Sequence, residues 1–127
     1  MKDKLLDLQK NSYSPYYKFP VSSIVVTKDG SEFIGVNVEN ANGTSICAER
    51  NAIALAIANG FKKGDFKEIN IMVSSSKISA PCFACRQVIL EFFYKDDIVR
   101  CFNKNGDYKE YTVKELCPYP FDEGDLQ

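Results

Sequence analysis

Three cysteines and one glutamate are grouped in two short motifs, and each motif stands where a helix is predicted to begin. The first motif is Cys47-Ala-Glu49, which opens an alanine-rich stretch that runs to Asn59. The second is Pro81-Cys82-Phe-Ala-Cys85, in which the proline suits the first turn of a second helix. Two helix starts that carry thiols constrain the fold, because they must face each other if the thiols are to meet. Either motif alone is weak, so the inference depends on their occurring together.

The three thiols and the carboxyl group match the requirements of a catalytic zinc ion. Zinc takes four tetrahedral ligands, and a catalytic site supplies three protein ligands and leaves one position for water. We predict that Cys47, Cys82 and Cys85 hold one zinc ion per chain, with their thiolates favoured by the helix N-termini. Glu49 shares the first helical turn but points in another direction, so we predict that it moves protons as a general acid and base. The chain contains no histidine, which excludes histidine ligands and histidine catalysis.

A purely structural zinc module is the alternative from another class of protein. Such a module would need a fourth protein ligand, and Cys101 and Cys117 are the remaining cysteines. Cys101 falls inside a predicted strand and Cys117 lies just before Pro118, so both are predicted to be structural. Glu49 would have no role in a structural site, and the motifs therefore favour metal-assisted hydrolysis.

Hydrophobic patterning around the motifs predicts alternating helices and strands in the order α-β-β-α-β-α-β-β-α. The predicted helices cover residues 3–10, 47–59, 81–94 and 113–116, and the predicted strands cover 21–27, 32–38, 68–73, 98–102 and 108–112. Asp29-Gly30 and Asn105-Gly106 are the turn signals between paired strands. The pattern predicts an α/β fold, a three-layer α/β/α sandwich around a mixed sheet of about five strands, in a single domain over residues 1–127.

Charge and composition limit the partners of the chain. Lys and Arg number 16 and Asp and Glu number 17, for a net charge of −1. No basic stripe of the kind that binds nucleic acid is present, which argues against an enzyme that edits a base within RNA or DNA. Residues 1–10 lack the continuous apolar run of a signal peptide or membrane span. We therefore expect a cytoplasmic protein without a membrane partner or disulfides, and a small uncharged substrate.

The motifs resemble those of the small zinc-dependent cytidine deaminases that assemble as homotetramers. They read Cys47-Ala-Glu-Arg-Asn-Ala52 and Pro81-Cys82-Phe-Ala-Cys85-Arg-Gln-Val88, and zinc deaminases carry this signature with the glutamate as an acid and base that does not bind the metal. Similarity extends to segments 16–21, 37–41 and 115–121 and to Asp125-Leu126, so that it covers roughly residues 13–127. The resemblance implies a cytidine deaminase-like fold and the hydrolysis of cytidine, 2′-deoxycytidine or both to the uridine nucleoside and ammonia, in pyrimidine salvage.

The resemblance also implies which residues bind the nucleoside. Asn37 and Glu39 match a pair that binds the ribose, and residues two positions apart on a strand share one face. Phe19 matches an aromatic residue that lines the pocket, although ordinary packing in the core explains its presence equally well. The backbone around Ala48 and Ala80 is expected to recognise the amino group of the base.

Two further roles follow from the resemblance. Arg50 matches a residue that hydrogen-bonds the zinc thiolates, where a guanidinium would offset the charge of −1 that three thiolates leave on Zn²⁺; a surface arginine is the alternative. Phe121 matches an aromatic residue that covers the pyrimidine ring in a neighbouring subunit of similar tetramers. The resemblance thus implies a homotetramer with sites at subunit interfaces, and packing of the chain end onto its own core is the alternative for Phe121.

The sequence departs from the family pattern in ways that bear on the substrate. The loop between Glu39 and Cys47 is one residue shorter than usual and lacks an aromatic residue, Phe83 replaces the usual glycine, and Ser22-Ser23 replaces a small apolar pair. A deaminase of a cytosine nucleoside antibiotic of the blasticidin S type is the nearest alternative, because those relatives also have a shortened, glycine-bearing loop. The presence of Asn37 beside Glu39 favours a plain ribose.

Overall fold

The computed structural model describes residues 1–126, and a mixed five-stranded sheet lies at its centre. The elements, in chain order, are α1 (Lys2–Gln9), β1 (Val21–Thr27), β2 (Glu32–Val36), α2 (Ala48–Ala58), β3 (Phe66–Val73), α3 (Phe83–Phe92), β4 (Ile98–Phe102), β5 (Tyr108–Thr112), α4 (Val113–Leu116) and a 3₁₀ helix (Glu123–Leu126). The strands are ordered β2-β1-β3-β4-β5. Only the β3–β4 pair is parallel, which confirms the predicted mixed sheet.

Connections between the strands follow from local sequence. The β1–β2 and β4–β5 pairs are antiparallel and are joined by tight turns, in which Gly30 and Gly106 have φ of +89° and +84°. Positive φ is readily adopted only by glycine, so these two positions fix the turns. The parallel β3–β4 pair requires a crossover, and α3 supplies it. Both α2 and α3 contribute to the same apolar core, so the two predicted metal motifs open helices on the same side of the sheet.

Successive side chains along each strand point to opposite faces of the sheet, and apolar residues on both faces form two cores. Val25 of β1 packs into the larger core, to which α2, α3 and α4 contribute. Its neighbour Ile24 faces the other way and packs with Leu5 of α1, Met72 and Phe102. This arrangement confirms helices on both faces of the sheet. Among residues 1–126, none of the helices combines the length and apolar character needed to cross a membrane.

Strand β2 is shorter than predicted. Its pairing with β1 ends at Val36, whereas the alternating pattern predicted a strand to Val38. Val38 forms only isolated bridges, to Tyr13 and Ile46. The change of pairing partner brings the 13–21 segment and the 37–46 loop together at one end of the sheet.

Both motif helices begin later than predicted. Ala48 is the first residue of α2 and Cys47 is its N-cap, while Phe83 is the first residue of α3 and Cys82 is its N-cap. The N-cap backbone is extended in both cases (φ −72° and ψ 152° for Cys47; φ −63° and ψ 163° for Cys82), which is the conformation typical of that position. The two cysteines therefore stand at the helix entrances rather than inside the helices.

Candidate metal centre and nucleoside pocket

Three thiols converge between the beginnings of α2 and α3. The Sγ atoms of Cys47, Cys82 and Cys85 all lie within 4.8 Å of one another, and this is the set that the sequence predicts as metal ligands. Cys85 is buried, Cys47 is half-buried and Cys82 is exposed. Cys101 and Cys117 lie outside this cluster, so the described part of the chain brings three thiols together here and not four.

The geometry and chemistry of the cluster fit zinc. A tetrahedral ion with Zn–S bonds of about 2.3 Å separates its sulfur ligands by about 3.8 Å, which is within the observed spacing. Neither N-cap thiol makes a capping hydrogen bond, so both sulfur atoms are available at helix ends where free amides favour negative charge. Three protein ligands and an exposed side at Cys82 would leave one position open for water, as a catalytic zinc site requires.

Electrostatics within the cluster stabilise one of the three thiols as a thiolate. A hydrogen bond from the Cys85 thiol lowers the pKa of Cys47, with further contributions from Cys82 and from the charge of Arg50. The pKa of Cys85 is raised, first by that same hydrogen bond and then by burial. One thiolate is thus stabilised by a neighbour that retains its proton. A divalent cation would allow all three to ionise, because metal binding displaces thiol protons.

Glu49 is a buried carboxyl group beside the thiols. It is the second residue of α2 and its side chain is 5% exposed. Its pKa is raised to about 7, chiefly by burial and in smaller part by the charge of Cys47, while hydrogen bonds to its own backbone and to Cys85 act in the opposite direction. A carboxyl group with a pKa near neutrality can both accept and donate a proton at physiological pH. This is the property that the sequence interpretation requires of Glu49.

A cavity of about 370 Å³ opens beside the cluster. Its walls come from segments 17–21, 37–39, 45–49 and 79–82 and from β3. The volume lies in the range of small-molecule sites. A groove of about 410 Å³ between α3 and the chain end is slightly larger, but it contains none of the clustered thiols. Glu49 and two of the thiols line the 370 Å³ cavity. We call it the nucleoside pocket below, after the ligand that the sequence resemblance implies.

Asn37 lines the nucleoside pocket and also holds the loop before β1. Its Oδ1 accepts hydrogen bonds from the Val21 amide at 2.9 Å and from the Ser12 hydroxyl. Its Nδ2 donates to the Phe19 carbonyl at 2.9 Å. Since Nδ2 carries two hydrogens, one donor is left for a ligand.

Glu39 is buried rather than solvated, with 6% of its surface exposed. Its carboxylate accepts hydrogen bonds from the amides of Tyr16 at 2.9 Å and Tyr17 at 3.3 Å. A carboxylate has about four acceptor positions, so it can bind a hydroxyl group while holding these amides. Both candidate ribose-binding residues are thus fixed by the loop that forms the pocket wall.

The remaining candidates differ in their surroundings. Phe19 lines the pocket and is 40% exposed, so it is not an ordinary core residue. The fully buried Ala48 and the residue Ala80 also line it. Tyr17 and Ile46 also lie at the rim. No motif in the sequence marks either residue. The only signal is that Tyr17 lies in a segment similar to the family and Ile46 directly precedes Cys47.

Arg50 is an exposed residue of α2 whose charge acts on the thiol cluster. Within residues 1–126 its guanidinium forms no hydrogen bond to a cysteine, and the residue is exposed beside an apolar groove between α2 and α3. Its charge still lowers the pKa of Cys47. The predicted hydrogen bond from Arg50 to zinc-bound thiolates stays a prediction.

Phe121 lies outside the nucleoside pocket of its own chain. Its ring is 59% exposed and borders a groove on α3 together with Phe83 and Leu116. The Phe121 carbonyl accepts a hydrogen bond from Nε2 of Gln87 at 2.7 Å. Packing of the chain end onto the core does not bury this aromatic ring.

Comparison with known proteins gives a consistent result. Residues 1–101 match the family model described as the cytidine and deoxycytidylate deaminase zinc-binding region. A cytidine deaminase of Sporosarcina psychrophila is 38% identical over 119 residues, which span 93% of this chain and 86% of that protein. The crystal structure of cytidine deaminase from Burkholderia pseudomallei superposes with a TM-score of 0.90 at 36% identity and covers 94% of both chains.

A relative that is named for a different substrate is less similar in sequence to this chain. The blasticidin-S deaminase of Bacillus cereus is 30% identical over 113 residues, which span 82% of this chain and 78% of that protein. Both comparisons with named cytidine deaminases give higher identity over a larger share of the chain.

Proposed function

This chain belongs to the cytidine and deoxycytidylate deaminase family, and from that premise we propose that it hydrolyses cytidine, 2′-deoxycytidine or both to the uridine nucleoside and ammonia. The observation that carries the proposal is the cluster of three thiols beside a pocket that two of them line together with one buried carboxyl group. Cys47, Cys82 and Cys85 would hold one zinc ion per chain. Zinc, when bound, supplies Lewis acidity that makes water acidic near neutral pH.

Glu49 carries the protons in this reaction. It accepts a proton from the attacking water and donates it to N3 of the pyrimidine ring. After water oxygen has bonded to C4, Glu49 takes the remaining hydroxyl proton and delivers it to the exocyclic amine. The C4–N bond then breaks, and ammonia leaves as the uridine ring forms. A pKa raised by burial suits a group that must both accept and donate protons.

Pocket residues position the nucleoside. Asn37 and Glu39 offer one free amide donor and free carboxylate acceptors to the ribose hydroxyl groups. Phe19 offers an aromatic face at the rim, and the backbone near Ala48 and Ala80, which also line the pocket, is proposed to recognise the amino group. These roles require a free ribose, and they favour cytidine over an aminoacylated antibiotic.

The proposed reaction has a direct test. Purified, zinc-loaded protein should change the ultraviolet absorbance of cytidine and release an equal amount of ammonia. The same assay is run with 2′-deoxycytidine, blasticidin S and adenosine. Turnover of blasticidin S above that of cytidine would reassign the substrate class, and zinc binding without turnover of any of the four would indicate a structural metal site.

We further propose a homotetramer with sites at subunit interfaces. An exposed apolar surface on and beside α2 supports self-association, with Ile46, Leu55 and Ile57 between 37% and 44% exposed. Phe121 supports shared sites, because its ring is exposed and lies outside its own nucleoside pocket. In this arrangement Phe121 covers the pyrimidine ring in a neighbouring subunit and excludes water from it.

Complementation tests the shared site. A Phe121→Ala chain keeps Glu49, and a Glu49→Ala chain keeps Phe121, so mixed oligomers should be more active than the sum of the separate variants. Tyr119→Ala replaces Phe121→Ala in the control, because Tyr119 is fully exposed in the same segment. If mixed oligomers are verified by mass spectrometry and show no such gain, Phe121 acts within its own subunit or has no role in the site.

The proposed setting is the cytoplasm, with residues 1–127 acting as one domain in pyrimidine salvage. Five free cysteines support a reducing compartment, where thiols persist. Fractionation of cells that express the chain, with the deaminase assay on each fraction, tests this setting.

A further inference from the structure

Arg86 joins two parts of the chain that are far apart in sequence. It follows Cys85 in α3, and its Nε donates a hydrogen bond to the Pro81 carbonyl at 2.7 Å. Its Nη1 donates to the Leu116 carbonyl at 3.0 Å. The ring of Phe83 lies against the guanidinium, with 4.3 Å between Cζ and the ring centroid. Two hydrogen bonds and one cation–π contact thus fix the plane of this side chain.

The contact with Pro81 acts on the exposed member of the thiol cluster. The Pro81 carbonyl belongs to the same peptide group as the Cys82 amide, so a hydrogen bond to it fixes the chain at Cys82. Cys82 is exposed while Cys85 is buried, and packing therefore restrains the Cys82 thiol less. Groups that orient metal ligands influence metal affinity strongly. Arg86 supplies the restraint that burial does not.

The contact with Leu116 acts on the end of the chain. Leu116 is the last residue of α4, where carbonyl groups lack partners within the helix, and Arg86 supplies one. Residues 117–121, the C-terminal segment, follow directly. Among the described residues, no backbone–backbone hydrogen bond involves 118–121, whereas Gln87 binds the Phe121 carbonyl. Two adjacent side chains of α3 therefore hold the segment that carries Phe121.

We propose that Arg86 is a positioning residue that holds both the Pro81–Cys82 peptide group and the C-terminal segment in place. Zinc retention and the position of Phe121 then depend on the same side chain. The inference rests on the proposed function, in which Cys82 binds zinc and Phe121 completes a neighbouring site. Arginine is needed because its planar fork presents donors in two directions, whereas lysine offers a single ammonium group. We expect a lysine at this position to keep one of the two carbonyl contacts.

The test compares zinc release from four zinc-loaded variants. Arg86→Met removes both hydrogen bonds, and Arg86→Lys keeps the charge. Gln87→Ala removes only the Phe121 contact. Arg100→Lys is the matched control, since Arg100 is also half-buried but binds Glu68 and Glu110 near the other face of the sheet. The rate of zinc release into a chromogenic chelator is measured for each, and chymotryptic cleavage after Phe121 reports the position of the segment.

Arg86→Met should release zinc at least about tenfold faster than the parent chain, in line with the effect of groups that orient metal ligands, and should be cleaved faster after Phe121. Arg86→Lys should be intermediate in both. Gln87→Ala should be cleaved faster but release zinc at the parent rate, and Arg100→Lys should match the parent in both. Should Arg86→Met fail to fold, Arg86→Lys carries the test.

Zinc release within twofold of the parent rate in the folded Arg86 variants would overturn the inference. An equal acceleration in Arg100→Lys would also overturn it, because general loosening would then explain the result. A parent chain that neither binds zinc nor deaminates cytidine overturns the proposed function, and this inference with it. A parent chain that does both, alongside unchanged Arg86 variants, overturns the inference alone.

Discussion

Gly35 of β2 and Ala48 of α2 are in direct backbone contact. A Cβ atom on Gly35 would lie 2.3 Å from the Ala48 carbonyl oxygen and 2.5 Å from the Ala52 amide nitrogen. Both are backbone atoms, so no side chain can move aside to make room. The absence of a side chain at Gly35 therefore sets the distance between the sheet and the helical turn that carries Cys47 and Glu49.

Gly35→Ala should displace the first turn of α2. Overpacking of this kind costs about 1–3 kcal/mol, so we expect a lower free energy of unfolding in urea together with faster zinc release. Gly124→Ala is the control, because a Cβ there meets only the flexible Asp122 carboxylate, at 3.1 Å. Unchanged stability and zinc release in Gly35→Ala would mean that α2 accommodates the methyl group by moving as a whole.

Cys85→Ala should remove the metal, since it deletes the buried thiol of the three-membered cluster. Elemental analysis of purified protein should find one zinc per chain in the parent and none in the variant. Cys101→Ala should retain the metal because Cys101 lies in β4, outside the cluster. Full zinc occupancy in Cys85→Ala would contradict the assignment of the ligands.

Glu49→Gln should keep zinc and lose most of the rate. The amide is similar in size and does not bind or release a proton as the carboxyl group does, and general acid–base catalysis supplies roughly 10²–10⁴-fold. Single-turnover rates with cytidine and zinc content by elemental analysis check both parts. Glu32→Gln, which changes an exposed carboxylate on β2, should behave like the parent. A near-normal rate in Glu49→Gln would exclude the proposed mechanism.

Asn37→Ala should raise KM for cytidine more than it lowers kcat. The substitution removes three hydrogen bonds that hold the pocket loop, besides the proposed ribose contact. Each is worth about 1 kcal/mol, so a KM increase of about tenfold or more is expected. Ser12→Ala removes one loop contact but keeps the Asn37 side chain, and its KM should change little. Equal effects of the two variants would assign Asn37 to the loop alone.

Ser22→Ala and Ser23→Ala should change stability in opposite directions. Both serines are fully buried in β1, but only Ser22 is hydrogen-bonded, through Oγ to the Leu5 carbonyl at 2.7 Å. The Ser23 hydroxyl has no partner among residues 1–126. Ser23→Ala should raise the free energy of unfolding by about 1 kcal/mol, and Ser22→Ala should lower it by a similar amount. Urea unfolding at one pH compares them, and destabilisation by Ser23→Ala would indicate an ordered water at this hydroxyl.

Much of the fold could be predicted because its signals are local. The β1 and β4 boundaries follow from β-branched and apolar residues next to turn signals, and the helix order follows from periodicity and from proline and glycine positions. The end of β2 could not be predicted in this way. Val38 continues the alternating pattern, but it pairs with Tyr13 and Ile46 instead of β1, and that choice depends on segments distant in sequence.

The sequence by itself determined the α/β order and the identity of the three candidate thiols, because periodicity, turn signals and the spacing within each motif are properties of neighbouring residues. Tertiary structure alone decided which polar groups surround the cluster. Arg86 follows Cys85 in sequence, yet it donates a hydrogen bond to the Leu116 carbonyl, 30 residues away. Such contacts depend on how α3 packs against α4 and the chain end. Packing brings together groups whose hydrogen bonds leave no mark in local sequence, since arginine can bind any carbonyl that the fold places within its reach.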